Sequence, residues 1–192
     1  MDDAVLRSLA RWPNVPAVFG WAALDRRGEW RLREPDSERF SRIGNTALRE
    51  FIGRNYAHDG HGRWFFQNGP QRVYVRLERT PWVYRLEGAR LADHCGRAAG
   101  RLRGAWLDDE GGLVLEAMQG VGVLDDRDLA ALAGHIVDET GAPHGERLAT
   151  PLEDAPNAGR AYLAFAGERL KLGAIEARTL PARFGFVADP QP

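Results

Sequence analysis

The chain has 192 residues, of which 44% are hydrophobic and 28% charged, with a net charge of −1; this excludes a disordered chain and a strongly basic nucleic-acid binder. A single cysteine, Cys95, excludes an internal disulfide and the paired-cysteine zinc signatures, so any metal would rest on histidines and carboxylates. No apolar run reaches the roughly 18 residues of a membrane span, and the start, MDDAVLRSLARWP, has no signal-like apolar stretch, so a cytoplasmic protein is expected.

Residues 15–32, VPAVFGWAALDRRGEWRL, read as a β-hairpin, with aromatic and β-branched residues on either side of Asp25-Arg26-Arg27-Gly28. After polar LREPDSER, the segment FSRIGNTALREFIGRNY places Phe40, Ile43, Ala47, Leu48, Phe51 and Ile52 three and four apart, which predicts one face of a helix. Asn45 is its expected N-cap, and Gly53 and Asn55 lie near its end. Asp59-Gly60-His61-Gly62-Arg63-Trp64 then repeats the form D-x-x-G-x-W first seen at Asp25 to Trp30. Asp accepts backbone hydrogen bonds in such a turn, and Gly supplies the positive φ that closes it. A looser third copy is Asp108-Asp109-Glu110-Gly111-Gly112-Leu113.

QRVYVRLER alternates Val73, Val75 and Leu77 against Arg72, Tyr74, Arg76 and Glu78, the pattern of a strand with one buried face. WVYRLEG follows as a further strand, so the first half is expected to form a sheet of four or more strands covered on one face by the helix. In the second half, a hairpin around Asp108 leads to a helix capped by Asp125 or Asp126, with Leu129, Leu132, Ala133 and Ile136 on its apolar face and Gly141 ending it. HGERLATPLEDAPNAGR reads as a long loop or irregular strand pair, AYLAFAGERLKLGAIEA as a hairpin around Ala166-Gly167-Glu168, and RFGFV as a last strand. The expected fold is α+β, two similar hairpin-helix-antiparallel-sheet units of about 90 residues packed together. The first, residues 1–92, is basic and the second, 93–192, acidic. Split near that boundary, the charge is +7 over residues 1–103 and −8 over 104–192, as if the halves attract one another or one receives a charged partner. Lys171 is the only lysine, and the arginine bias reads as a GC-rich genome.

The turns D-x-x-G-x-W, the helix I-G-N-x-A-L-x-E-F-I, the stretch H-D-G-H-G-R-W-F-F, the strand R-V-Y-V-R-L-E-R-T-P-W-V and the late R-A-Y-L-A-F-A-G-E-R-L-K-L-G-A-I-E-A-R resemble proteobacterial families of unknown function. One group among them has a fold of repeated α+β motifs and a proposed part in signal transduction. The resemblance implies that fold and that role; it supplies no catalytic residue.

Three candidate sites stand out. His58, Asp59 and His61 supply two imidazoles and a carboxylate, the donors of a metal or proton-transfer site, but a tetrahedral metal needs three or four convergent ligands. His94, Cys95, His135 and His144 would have to supply the rest. Because D-x-x-G recurs at Asp25 without histidine, a hairpin turn accounts for the motif. Cys95 beside His94 has the residue types of a nucleophile and base, though neighbours in sequence seldom face each other. Arg63, Arg72, Tyr74, Arg76, Trp82 and Arg85 are the candidate binding surface, with arginines for an anion and aromatics for stacking. Asp108, Asp109 and Glu110 lack the ligand spacing of a calcium loop. No phosphate loop, nucleophile elbow or zinc-helix signature is present.

The sequence therefore favours a non-enzymatic ligand- or protein-binding regulatory protein without cofactor. Its partner would be an unknown protein or small anionic ligand, with neither nucleic acid nor membrane, and its state a monomer or weak homodimer. The competing reading is a small metal-assisted hydrolase using His58, Asp59 and His61.

Overall fold

A computed structural model describes residues 1–143 and 161–192. The loop expected at 144–160, and His144 with it, lies outside the described residues. The chain divides into two compact units, Met1–Pro81 with Phe184–Pro192, and Trp82–Arg183.

The first unit opens with α1 (Asp3–Arg11), which the sequence reading did not anticipate; Asp2 and Asp3 at its start and Arg11 in its last turn suit the helix dipole. Strands β1 (Val18–Leu24), β2 (Trp30–Arg33) and β3 (Phe40–Arg42) form one antiparallel meander, and β4 (Tyr56–His58), β5 (Trp64–Asn68) and β6 (Gln71–Leu77) a second. Parallel pairing of β1 with β6 joins them into a six-stranded sheet ordered β3-β2-β1-β6-β5-β4. Ala22, Leu24, Trp30, Tyr56, Phe66, Val73, Val75 and Leu77 are all buried, and their register places them on one face. Trp30 packs edge-on to Tyr56 with ring centroids 5.0 Å apart, a favourable aromatic geometry.

Helix α2 (Thr46–Arg54) lies between the meanders, and the Asn45 side chain accepts from the Leu48 N–H, as expected of its N-cap. The expected helix face is shorter than the spacing implied. Phe40 belongs to β3, Ile43 precedes the helix, Ala47 and Leu48 are exposed, and only Ile52 and Gly53 of α2 are fully buried. A period of three to four here ran across a strand, a link and a helix, which periodicity alone does not separate.

The second unit holds an eight-stranded sheet ordered β12-β13-β14-β9-β10-β11-β7-β8. Its strands are β7 (Trp82–Glu87), β8 (Arg90–Asp93), β9 (Leu102–Asp108), β10 (Leu113–Ala117), β11 (Gly120–Leu124), β12 (Ile136–Val137), β13 (Tyr162–Phe165) and β14 (Glu168–Ile175). WVYRLEG thus joins this sheet, through parallel pairing of β7 with β11, rather than the first half's sheet. β14 also runs parallel to β9, so both sheets are mixed rather than antiparallel throughout. Hairpins are local in sequence and can be read there, whereas a parallel pair is a long-range contact.

Asp125 caps a 3-10 turn (Asp126–Asp128) by accepting from the Arg127 N–H, and α3 (Leu129–Ala133) follows for five residues. Ile136 is therefore a strand residue and not part of the helix face, and Gly141 closes a separate turn. The hairpin between β13 and β14 turns at Ala166 and Gly167, φ 53° and 82°, the double positive φ of a type I′ turn. Trp106 meets Gly173 across the β9/β14 pair, where a side chain on Gly173 would stand 2.5 Å from the indole, and Arg183 lies 4.9 Å over the ring. RFGFV is not a strand. After a 3-10 turn (Ala177–Thr179), α4 (Leu180–Phe184) takes in its Arg183 and Phe184, and Val187 makes a single parallel bridge to Arg63 in the first unit's own residues.

Candidate functional site

The Asp59 turn shows what the D-x-x-G form does. Asp59 Oδ1 accepts from the His61 and Arg63 N–H groups at 2.9 and 3.0 Å, and Oδ2 from Arg63 Nε at 2.8 Å and the Tyr74 hydroxyl at 3.0 Å. Burial works to raise the carboxyl pKa, but these donors, Arg63 foremost, outweigh it and hold the group at about 2. Both carboxylate oxygens thus have donors, from the turn and from Tyr74 on β6. His58 Nδ1 lies 3.0 Å from the Asp59 carbonyl oxygen and its ring rests against Trp64, while His61 is exposed and contributes its backbone N–H. Among the described residues no group of three or more His, Cys, Asp or Glu is placed to hold a metal ion.

Among the described residues the same turn occurs five times. At Asp25, Asp59, Asp93, Asp108 and Asp138, Oδ1 accepts from the N–H two residues on, at 2.8–3.0 Å, and four residues on, at 2.6–3.1 Å. The glycine three residues after each Asp has φ between 74° and 88°, a region L side chains rarely adopt. Asp93-His94-Cys95-Gly96 and Asp138-Glu139-Thr140-Gly141 escaped the sequence reading because no large residue follows at the tryptophan position.

His94 and Cys95 are the two middle residues of the Asp93 turn. Burial, and then Arg97, push His94 down to about 3, whereas burial and the Asp93 charge push the Cys95 thiol up to about 12. A neutral imidazole and a protonated thiol do not form an activated pair. His135 packs edge-on to Phe165.

The six candidate binding residues separate. Trp82 and Arg85 belong to the second unit, where Trp82 is buried with Arg97 4.7 Å over its ring, and Arg85 donates to Asp128 at 2.8 Å. In the first unit Tyr74 is also buried, stacked on Phe19 with centroids 4.5 Å apart. Arg63 caps Tyr74 at 4.8 Å and Arg72 covers Phe65 at 4.7 Å. Tyr74 and Trp82 are thus packing residues that anchor arginines.

Arg76 differs. It is exposed, and among the described residues its guanidinium has no hydrogen-bond or ion-pair partner. It lines a groove of about 270 Å³ with Ala23, Leu24, Asp25, Arg31, Phe40, Leu77 and Glu78. Register explains the gathering: Ala23 pairs with Arg31 on β2 and with Arg76 on β6, so all three share a rung and a face. Both carboxylates already have partners, Asp25 with Arg31 at 2.8 Å and Glu78 with Arg26 at 2.7 Å. On that face Ala23 and Phe40 supply the groove's apolar side chains, with one guanidinium to spare. Arg31 was not among the residues singled out from the sequence, although the alternation of Trp30, Arg31, Leu32 and Arg33 would have placed it opposite the buried tryptophan.

The family model described as DUF2944, Protein of unknown function (DUF2946), matches residues 1–191, and the chain belongs to that family. No curated protein matches the chain. A solved structure similar to it is a DUF1285 family protein from Silicibacter pomeroyi DSS-3, 14% identical, covering 91% of this chain and 97% of that one with a TM-score of 0.49.

Proposed function

We propose that this family member is a non-enzymatic binding protein that receives a carboxylate, on a small molecule or an acidic partner segment, in the groove of Arg31 and Arg76. The observation that carries this reading is the exposed Arg76 guanidinium, without a partner among the described residues, beside Ala23 and Phe40. Guanidinium matches carboxylate in shape and charge, and Ala23 and Phe40 on the same face suit an apolar body behind the acid. In this reading the protein acts as a regulatory component, in signal transduction as its resemblances imply, by occupancy of the groove rather than by turnover.

Equilibrium titration of the full chain with benzoate, against neutral benzyl alcohol, tests it. Benzoate binds saturably, Arg76→Glu removes the binding, and Arg72→Glu, on the arginine that covers Phe65, leaves it intact. Binding that survives Arg76→Glu, or that benzyl alcohol matches, overturns the proposal.

A further inference from the structure

The six tryptophans are not alike. Arg11 lies 4.6 Å over Trp12, Tyr56 contacts Trp30 and Trp64, Arg97 lies over Trp82, and Arg183 over Trp106. Trp21 is 53% exposed, and among the described residues its indole has no ring or cation partner. The chain itself presents it: between Val18 and Ala22, β1 advances four residues while β6 advances two, with Gly20 at φ 73° inside the bulge.

Trp21 lines a groove of about 450 Å³ with Arg33, Glu34, Asp36, Ser37 and Glu38. Three carboxylates thus face one guanidinium, and that guanidinium is occupied by the Ser37 carbonyl oxygen, at 2.6 Å, and by Glu38. Glu34 accepts from the Ser41 hydroxyl. Asp36, at φ 54°, has no partner among the described residues. An open indole face in a cavity of net negative charge attracts a cation twice, through the ring quadrupole and through the carboxylates. Five of the chain's own tryptophans are filled by arginine or an aromatic ring, and the sixth is left open beside acid.

We infer that the Trp21 groove is a binding site for an organic cation, an alkylammonium group held over the indole with Asp36 and Glu34 as counter-charges. The site is separate from the Arg31 and Arg76 groove and of opposite sign.

The test is titration of the full chain with choline, reading the indole N–H resonance of Trp21, with 3,3-dimethylbutan-1-ol as the uncharged isostere. Choline shifts the Trp21 resonance saturably and leaves the other five still, and the alcohol does not. Double substitution E34Q/D36N, on exposed or half-exposed side chains, weakens choline by about tenfold while the Trp21 resonance remains to report it. No saturable shift, an equal shift with the alcohol, or undiminished affinity in the double variant overturns the inference.

Discussion

At Asp59 the outer side of the turn is covered by the chain's own C-terminal residues, with Val187 N–H donating to the Gly62 carbonyl oxygen at 2.9 Å and Leu77 N–H to that of Ala188 at 2.7 Å. At Asp25 the same hydrogen bonds close the same turn, but its carboxylate and Arg31 stand at an open groove beside Arg76. The histidine-bearing turn is therefore a seat for the chain's end, and the plainer turn borders the candidate site. A turn motif sets local geometry; what packs on it decides whether it can meet a ligand.

The largest effect that could break this contrast is at Gly62. A side chain there would stand 2.2 Å from the Gly185 carbonyl oxygen at φ 74°, whereas Gly111 in the Asp108 turn has φ 80° and open space. Gly62→Ala should cost about 3 kcal/mol or more in urea unfolding and Gly111→Ala about 1 kcal/mol. Equal costs would mean that the C-terminal residues do not sit on the turn.

Next in size is Asp59. Asp59→Asn, which keeps an acceptor but loses the charge, should cost about 2 kcal/mol at neutral pH. Because the folded carboxyl lies below its ordinary 3.8, at about 2, its contribution is complete above about pH 4 and is lost as the pH falls through about 2. Wild type and variant should converge in stability over that window; curves that stay parallel would contradict it.

How far the sequence foretold this depends on the range of the interaction. The Asp25, Asp59 and Asp108 turns, the Asn45 cap and the Ala166-Gly167 reversal were legible because each is settled within six residues. Asp93 and Asp138 obey the same rule and were missed by demanding a large residue after the turn, which the hydrogen bonds do not need. The β1/β6, β7/β11 and β9/β14 pairings join distant strands, and local periodicity carries no signal for them. Arg76 was among the residues named from the sequence, but its rung-mate Arg31 appears only once β1 lies between β2 and β6.

Smaller effects sharpen the contrast between the turns. Cys95, with its thiol pushed up to about 12, should react slowly with a disulfide reagent at pH 8 in the folded protein and rapidly in denaturant; fast reaction in both would contradict its place in the Asp93 turn. His61→Ala should change stability by no more than about 0.5 kcal/mol, since the exposed ring is not part of the turn's hydrogen bonding.

The central claim is most directly tested by following the arginine Nε–H resonances during benzoate titration of the unmodified chain. Arg76 and its rung-mate Arg31 should shift together and saturate at one affinity, while Arg63 and Arg72, stacked on Tyr74 and Phe65, stay in place. Uniform small shifts across all the arginines, or none at Arg76, would contradict the assignment of that groove as the site.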